Sequence, residues 1–211
     1  MDISTKDLRD HILKMASLVE ASLSAALNLD KTLEDVLELE RKVNEFHMMI
    51  DDACFKYIAL KGPAAKDLRT VLAVMKINAE LERIGDQSLK IKRQHLSLGR
   101  EILQLKNMAL ETNIMVKNAL DSFVRSNIKL ATDVIEYDQE INALNRDIVK
   151  NHVGQIKNNE IGFDEGYTII KISKNLERIG DHAKNIAEDV IFLESGSDIR
   201  HNPEFKTGKK D

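Results

Sequence analysis

Two pairs of carboxylates recur in this chain at matched places. Glu82 and Asp86 stand four residues apart, as do Glu177 and Asp181, each pair inside a copy of the hexapeptide Leu-Glu-Arg-Ile-Gly-Asp. On a helix this spacing puts both side chains on one face, one turn apart. Like charges so placed destabilise an isolated helix by roughly a few tenths of a kcal/mol, so each pair calls for positive charge. Two sources are open. Arg83 and Arg178, next in each copy, can fold back or reach a neighbour. The other source is a hard cation held by carboxylate oxygens, of the Mg²⁺, Mn²⁺, Fe or Zn²⁺ type. A single Glu-x-x-x-Asp carries little information; its repetition at equivalent places makes it a candidate metal site.

The copies begin at Leu81 and Leu176, 95 positions apart, and Lys76–Asp86 shares eight of eleven residues with Lys171–Asp181. Upstream, Lys31, Asp35, Val36, Glu38 and Asn44 reappear 98 positions later as Lys129, Asp133, Val134, Glu136 and Asn142. The chain therefore reads as a tandem duplication with a three-residue length difference between the second and third elements of each repeat. The upstream segments carry further oxygen-bearing pairs at four-residue spacing, Glu40 with Asn44 and Asp138 with Asn142. Antiparallel packing of those helices on the motif helices would bring oxygen ligands together from two sides. After the second motif the acidic line continues through Asn185 and Glu188, whereas Lys90 and Arg93 follow the first, and Lys90 can pair with Asp86. The candidate ligands are thus Glu82, Asp86, Glu177 and Asp181, extended by Glu40, Asp138, Asn185 and Glu188. The downstream site is expected to be the stronger.

Six long helices must position these groups. Residues 64–202 contain no proline and are rich in Leu, Ala, Lys, Glu and Met, which argues for helix throughout. Apolar spacing and capping residues predict helices from Ser4 or Thr5 to about Asn28–Asp30, from Thr32 to Gly62-Pro63, and from Ala64 to the mid-90s. In the second half they predict Gly99–Asn127, Leu130–Asn158 and Phe163–Glu194. The fold class is all-α: two three-helix bundles in tandem, 1–97 and 98–195, with 196–211 as a mobile tail. Ile169, Ser173, Leu176, Gly180, Ala183, Ala187 and Val190 form a seam of apolar and small residues that should face the bundle. Gly180 lies on it, as Gly85 does in the third helix. A mid-helix glycine costs about 1 kcal/mol relative to alanine, so a close helix approach is the expected compensation. Glu177 and Asp181 lie about 100° further round.

Composition narrows the class. With 43 % hydrophobic residues in 211 the chain can bury a sizeable core, and a net charge of −4 leaves no broad basic surface for nucleic acid. The lone Cys54 fits a reducing compartment and a small core residue. The polar, acidic N-terminus is unlike a secretory signal, and no run is long enough for a membrane span. A cytoplasmic protein is expected. His11, His47, His95, His152, His182 and His201 lack paired ligand spacing and are read as surface or boundary residues, and the methionines as core filler. No nucleophile–base pair, phosphate-cradling loop or nucleotide motif is present.

The run Leu176-Glu-Arg-Ile-Gly-Asp-His-Ala-Lys-Asn-Ile-Ala-Glu-Asp-Val-Ile-Phe-Leu193, followed by Gly196-Ser-Asp-Ile-Arg-His201, resembles the C-terminal signature of the PhoU family of phosphate-uptake regulators. Asp67-Leu68-Arg69 ahead of the first motif is similar to the family's N-terminal repeat. The resemblance covers nearly the whole chain. It implies two three-helix bundles and multinuclear metal clusters on Glu82/Asp86 and Glu177/Asp181. It also implies a cytoplasmic, often dimeric protein that restrains phosphate uptake together with the phosphate ABC transporter and its sensor histidine kinase. Lys90 and Arg93 stand where the family usually has Asn and an acidic residue. Two other classes stand beside this non-enzymatic regulator. One is a carboxylate-bridged di-metal enzyme in a helical bundle; such sites use Glu-x-x-His pairs, and here Gly85 and Gly180 occupy the third position. The other is a structural scaffold with salt-bridged acids.

Overall fold

The computed structural model describes residues 3–196. Six α-helices follow in order: α1 (Thr5–Ala26), α2 (Leu33–Lys61), α3 (Ala65–Leu98), α4 (Leu103–Val124), α5 (Ile128–Lys157) and α6 (Phe163–Ser195). No strand occurs among the described residues. Of the expected tail, everything after Gly196 lies outside them.

Local chemistry sets the ends. Ser4 and Thr32 each accept a bond from the backbone of the residue three further on, Asp7 and Asp35, whose carboxylates reach back to the cap. Gly62 and Gly99 close α2 and α3 in the left-handed conformation that favours glycine. α4 is shorter at both ends than expected, because Arg100 and Glu101 are spent on the turn and Ser126–Asn127 on the next cap.

α3 and α6 occupy the middle. α1 and α2 flank α3, α4 and α5 flank α6, and the two central helices pack on each other as extensively as any pair inside a repeat. They run antiparallel: Lys76 meets Asp189, Glu80 meets His182, and Gln94 meets Asn175. At about 1.5 Å per residue, the 34 residues of α3 extend about 50 Å. The two bundles share one core, which passes from Val71, Ile77 and Leu81 through Ile172, Leu176 and Ile186 without a break. Every residue of the seam read from the sequence, Ile169 through Val190, is buried.

The motif glycines do what their cost required. A Cβ on Gly85 would lie 3.2 Å from Val43 Cγ1, and one on Gly180 would lie 3.1 Å from Ile141 Cγ2. Val43 and Ile141 are themselves 98 positions apart, so both repeats place a β-branched residue in the notch. Asn78 on α3 donates to the His47 carbonyl and to Asp51 on α2, at 3.0 and 2.9 Å. At the corresponding place Ser173 donates to Asn145 at 2.7 Å. Different chemistry thus performs the same cross-helix tie.

The outer helices depart from the sequence reading. Met48, read as core filler, is 64 % exposed, and Phe55 on the same helix is 60 % exposed. α2 has neighbours on one side only, so its outward turn has nothing to cover it. Cys54 is buried, as expected, and burial pushes its thiol up to about 12. Lys92 is the reverse: a fully buried lysine whose Nζ donates to the Asn28 carbonyl at 2.6 Å, its pKa lowered by burial.

Substitution at the notches should separate helix propensity from packing. Gly180→Ala is expected to be near neutral in thermal unfolding, since a gain of about 1 kcal/mol in propensity offsets the crowding of Ile141. Gly180→Val should destabilise by about 1–3 kcal/mol through overpacking. A valine variant as stable as the parent would remove the close-approach explanation.

Candidate cation-binding site

Each motif helix presents its carboxylates to the outer helix of its own repeat. In the first repeat Glu82 on α3 lies within electrostatic reach of Asp86, and of Glu40 and His47 on α2. Burial first, and then the negative charge of Asp86, push the Glu82 carboxyl above its usual range, while His47 and Arg83 pull the other way. In the second repeat Asp181 on α6 is raised in the same sense. Although open to solvent on one side, it is desolvated by the adjoining helix and faces Asp138 and Glu177. In both repeats an acid of the outer helix thus comes within electrostatic reach of a motif acid, Glu40 of Glu82 and Asp138 of Asp181.

Neither motif arginine forms an ion pair with the motif acids among the described residues. Arg83 pairs with Glu80, one turn back, at 2.9 Å, and Arg178 makes no ion pair among the described residues. The closing cations also differ from the sequence expectation. Lys90 and Arg93 are exposed and make no ion pair with Asp86. It is the downstream cluster that lysines close: Lys184 Nζ is 3.3 Å from Asp138 Oδ2, and Lys174 Nζ is 2.5 Å from Glu177 Oε2. Glu82 and Asp86 have neither a salt bridge nor a hydrogen-bonded side-chain partner among the described residues.

Asn185 leaves the acidic line. Steps of four residues advance about 40° each around a helix, so by Asn185 the line has turned into the α3 contact. There the Asn185 amide donates to Glu80 Oε2 at 3.1 Å. Glu188 is half-buried further along α6. His182, read as a boundary residue, places Nδ1 at 2.7 Å from the same Glu80 oxygen. Burial acts to raise the Glu80 carboxyl, but His182, Asn185 and Arg83 outweigh it and hold the group below its usual range. His95 and His152 are buried too, His152 Nδ1 lying 2.8 Å from the Ile148 carbonyl. His182 and His152 gave no spacing signal because their partners sit on another helix and on backbone.

His47 is the residue the sequence reading missed at the first cluster. Glu40, Asn44 and His47 fall at i, i+4 and i+7, one face of α2, which is the signal that could have found it. Its counterpart, Asn145, is committed to Ser173.

Do these residues suit a cation? Among the described residues, no three His, Cys, Asp or Glu side chains close on a common point. Among the buried side-chain atoms that lack a hydrogen-bond partner in the described residues, His47 Nδ1 lies beside the first cluster and Asp138 Oδ1 in the second. Asp138 is 5 % exposed, so its unpaired oxygen is a real cost. Asn44 and Asn142 steady Glu40 and Asp138 by bonds of 2.6 and 3.0 Å. Oxygen donors held by amides and repelling one another suit a hard, partly hydrated ion such as Mg²⁺ or Mn²⁺, which is held through one or two carboxylates and keeps several waters.

The raised carboxyls fix the sign of the pH dependence. Where the folded pKa exceeds the unfolded one, the stabilising contribution is complete at low pH and is lost as pH rises through the folded value. In chelator, Glu82→Gln and Asp181→Asn should therefore each raise Tm at pH 7, and the advantage should vanish on acidification below the ordinary carboxylate range. A lowered Tm at neutral pH in both would mean the charges are already satisfied.

Comparison with known proteins places this geometry. The model for "PhoU domain" matches twice, at residues 9–94 and 105–190. The phosphate-specific transport system accessory protein PhoU homolog of Pseudomonas aeruginosa is 34 % identical over 207 residues, 93 % of this chain and 86 % of that protein. The accessory protein PhoU of Escherichia coli K12 is 32 % identical over 209 residues, again 93 % and 86 %. The crystal structure of PhoU from Pseudomonas aeruginosa superimposes with a TM-score of 0.86 at 32 % identity, covering 91 % of this chain and 97 % of that one. PhoU from Streptococcus pneumoniae gives 0.85 at 25 % identity, covering 92 % and 96 %. Both repeats, and the motif on which each is built, place this chain in the PhoU family.

Proposed function

We propose that the protein is a non-enzymatic, cytoplasmic negative regulator of phosphate uptake, an adaptor between a phosphate ABC transporter and a phosphate-sensing histidine kinase. The observation that carries this is the double PhoU-domain match across nearly the whole chain, with relatives named as accessory proteins of the phosphate-specific transport system. No helix among the described residues is long and apolar enough to cross a membrane, which agrees with an adaptor that meets its transporter at the surface. A homodimer is part of the reading, and the exposed apolar face of α2 around Met48 and Phe55 is available to it.

The carboxylate clusters are the proposed cation sites. Glu82, Asp86 and Glu40, with His47 alongside, would hold a divalent ion in the first repeat; Glu177, Asp181 and Asp138 would do so in the second. Bound there, a cation would supply the charge that relieves repulsion across α2–α3 and α5–α6 and so tighten each outer helix on its motif helix. The ranking reverses the sequence expectation. At the second cluster an ion must displace Lys184 from Asp138 and Lys174 from Glu177, while the first asks for no such exchange.

Deleting the gene should derepress phosphate-starvation genes at high phosphate, read with a reporter; repression that persisted would overturn the regulatory reading. Separately, titrating chelated protein with Mn²⁺ should raise Tm. Glu82→Gln/Asp86→Asn should remove more of that rise than Glu177→Gln/Asp181→Asn. Equal losses would reject the ranking, and no rise at all would reject the cation sites.

A further inference from the structure

Four glycines lie inside helices among the described residues, and the fold explains three of them. Gly85 and Gly180 sit in the notches, and a Cβ on Gly166 would come within 2.6–2.8 Å of Ile156 and Ile161. Gly154 has no such reason: a Cβ there would meet nothing within 4 Å, and alanine would strengthen α5. A bare stretch of helix backbone that nothing in the chain approaches is explained by something outside it.

Gly154 lines a groove of about 820 Å³ between α5 and α6, on the outer side of the second repeat. The apolar part of its wall is Val149, Val153, Ile170 and the ring of Tyr167. Tyr167 is braced, stacked on Phe163 with ring centroids 5.6 Å apart and capped by Lys171 Nζ at 4.3 Å. Five cations edge the groove, Arg146, Lys150 and Lys157 from α5 and Lys171 and Lys174 from α6, and no Asp or Glu lines it. That is a sharp local reversal in a chain of net charge −4. Arg146, Lys150 and Lys157 make no ion pair among the described residues.

The distribution of charge selects the occupant. From Arg146 to Lys157 the α5 cations spread over about 16 Å at about 1.5 Å per residue, too far to converge on one phosphate group. The apolar wall runs beside them along the same length. An apolar track flanked by positive charge matches a helix with apolar residues at i, i+3, i+4 and i+7 and carboxylates on its sides. Close approach of that helix is what a glycine in the wall permits. We propose that the α5–α6 groove receives an acidic amphipathic helix of a partner protein, seated over Gly154, its carboxylates on Arg146, Lys150 and Lys157. The groove lies apart from Glu82 and Asp86, and the inference does not depend on the regulatory reading.

A displayed library of random 16-residue peptides, selected against the full-length protein, tests this. Acidic sequences with apolar residues at three- and four-residue spacing should be enriched. Binding of the best synthetic peptide should fall at least tenfold in Gly154→Leu and in Lys150→Glu/Lys157→Glu. Because the Gly154 position is open, Gly154→Leu and Gly154→Ala should both keep the circular dichroism of the parent with a Tm no lower than its own, and Gly154→Ala should still weaken the peptide. Enriched peptides that lack this pattern, or that bind the groove variants as tightly as the parent, would overturn the proposal. So would a failure to enrich any, or groove-dependent binding to vesicles of phosphatidylglycerol and phosphatidylethanolamine without peptide binding.

Discussion

The close approach of α2 to α3 and of α5 to α6 is the constraint from which the rest follows. In each motif the glycine lies between the glutamate and the aspartate. The residue that lets the helices touch is therefore the one that presses both carboxylates toward the acids of the neighbouring helix. Val43 in the Gly85 notch and Ile141 in the Gly180 notch hold that contact from the other side. Charge repulsion is thus built into the packing: moving the acids apart would open the notch and expose β-branched side chains from the core. Burial and like charge act together to raise Glu82 and Asp181, and a counter-ion is the natural relief.

Duplication set up two equivalent sites, and later substitution made them unequal. The first keeps three acids and a histidine without a lysine among them; the second has drawn Lys174 and Lys184 onto its acids. The interface between repeats diverged in parallel. Glu80, buried between α3 and α6, collects His182, Asn185 and Arg83. Its counterpart Asn175 donates to the side-chain oxygen of Gln94. A neutral pair and a charged node at equivalent places make the contact between the central helices polar at one end and charge-dependent at the other. Burying a carboxylate there is tolerable because several donors satisfy it.

Much of the architecture was legible because it rests on local rules. Capping residues at Ser4 and Thr32, the stop at Gly62-Pro63, and three- and four-residue apolar spacing specify where a helix starts, stops and turns its face without reference to any partner. Internal repetition then extends each local reading to a second place. The seam from Ile169 to Val190 and the notch role of Gly85 and Gly180 followed from spacing and helix propensity alone, and packing bears both out.

Spacing along the chain is therefore enough to specify the helices, their duplication, and the pairing of Glu82 with Asp86 and of Glu177 with Asp181, since all of these are properties of neighbours along one helix. Which charges meet across helices depends on packing. Lys90 follows Asp86 at the spacing of an ion pair yet makes none among the described residues, while Lys184 crosses to Asp138, 46 positions away. Likewise His182 and Asn185 turn to Glu80. A long side chain at a helix surface has several partners within reach, and its choice depends on the packing angle of two helices and on what each acid already holds. Neither is encoded in the spacing of residues along one helix.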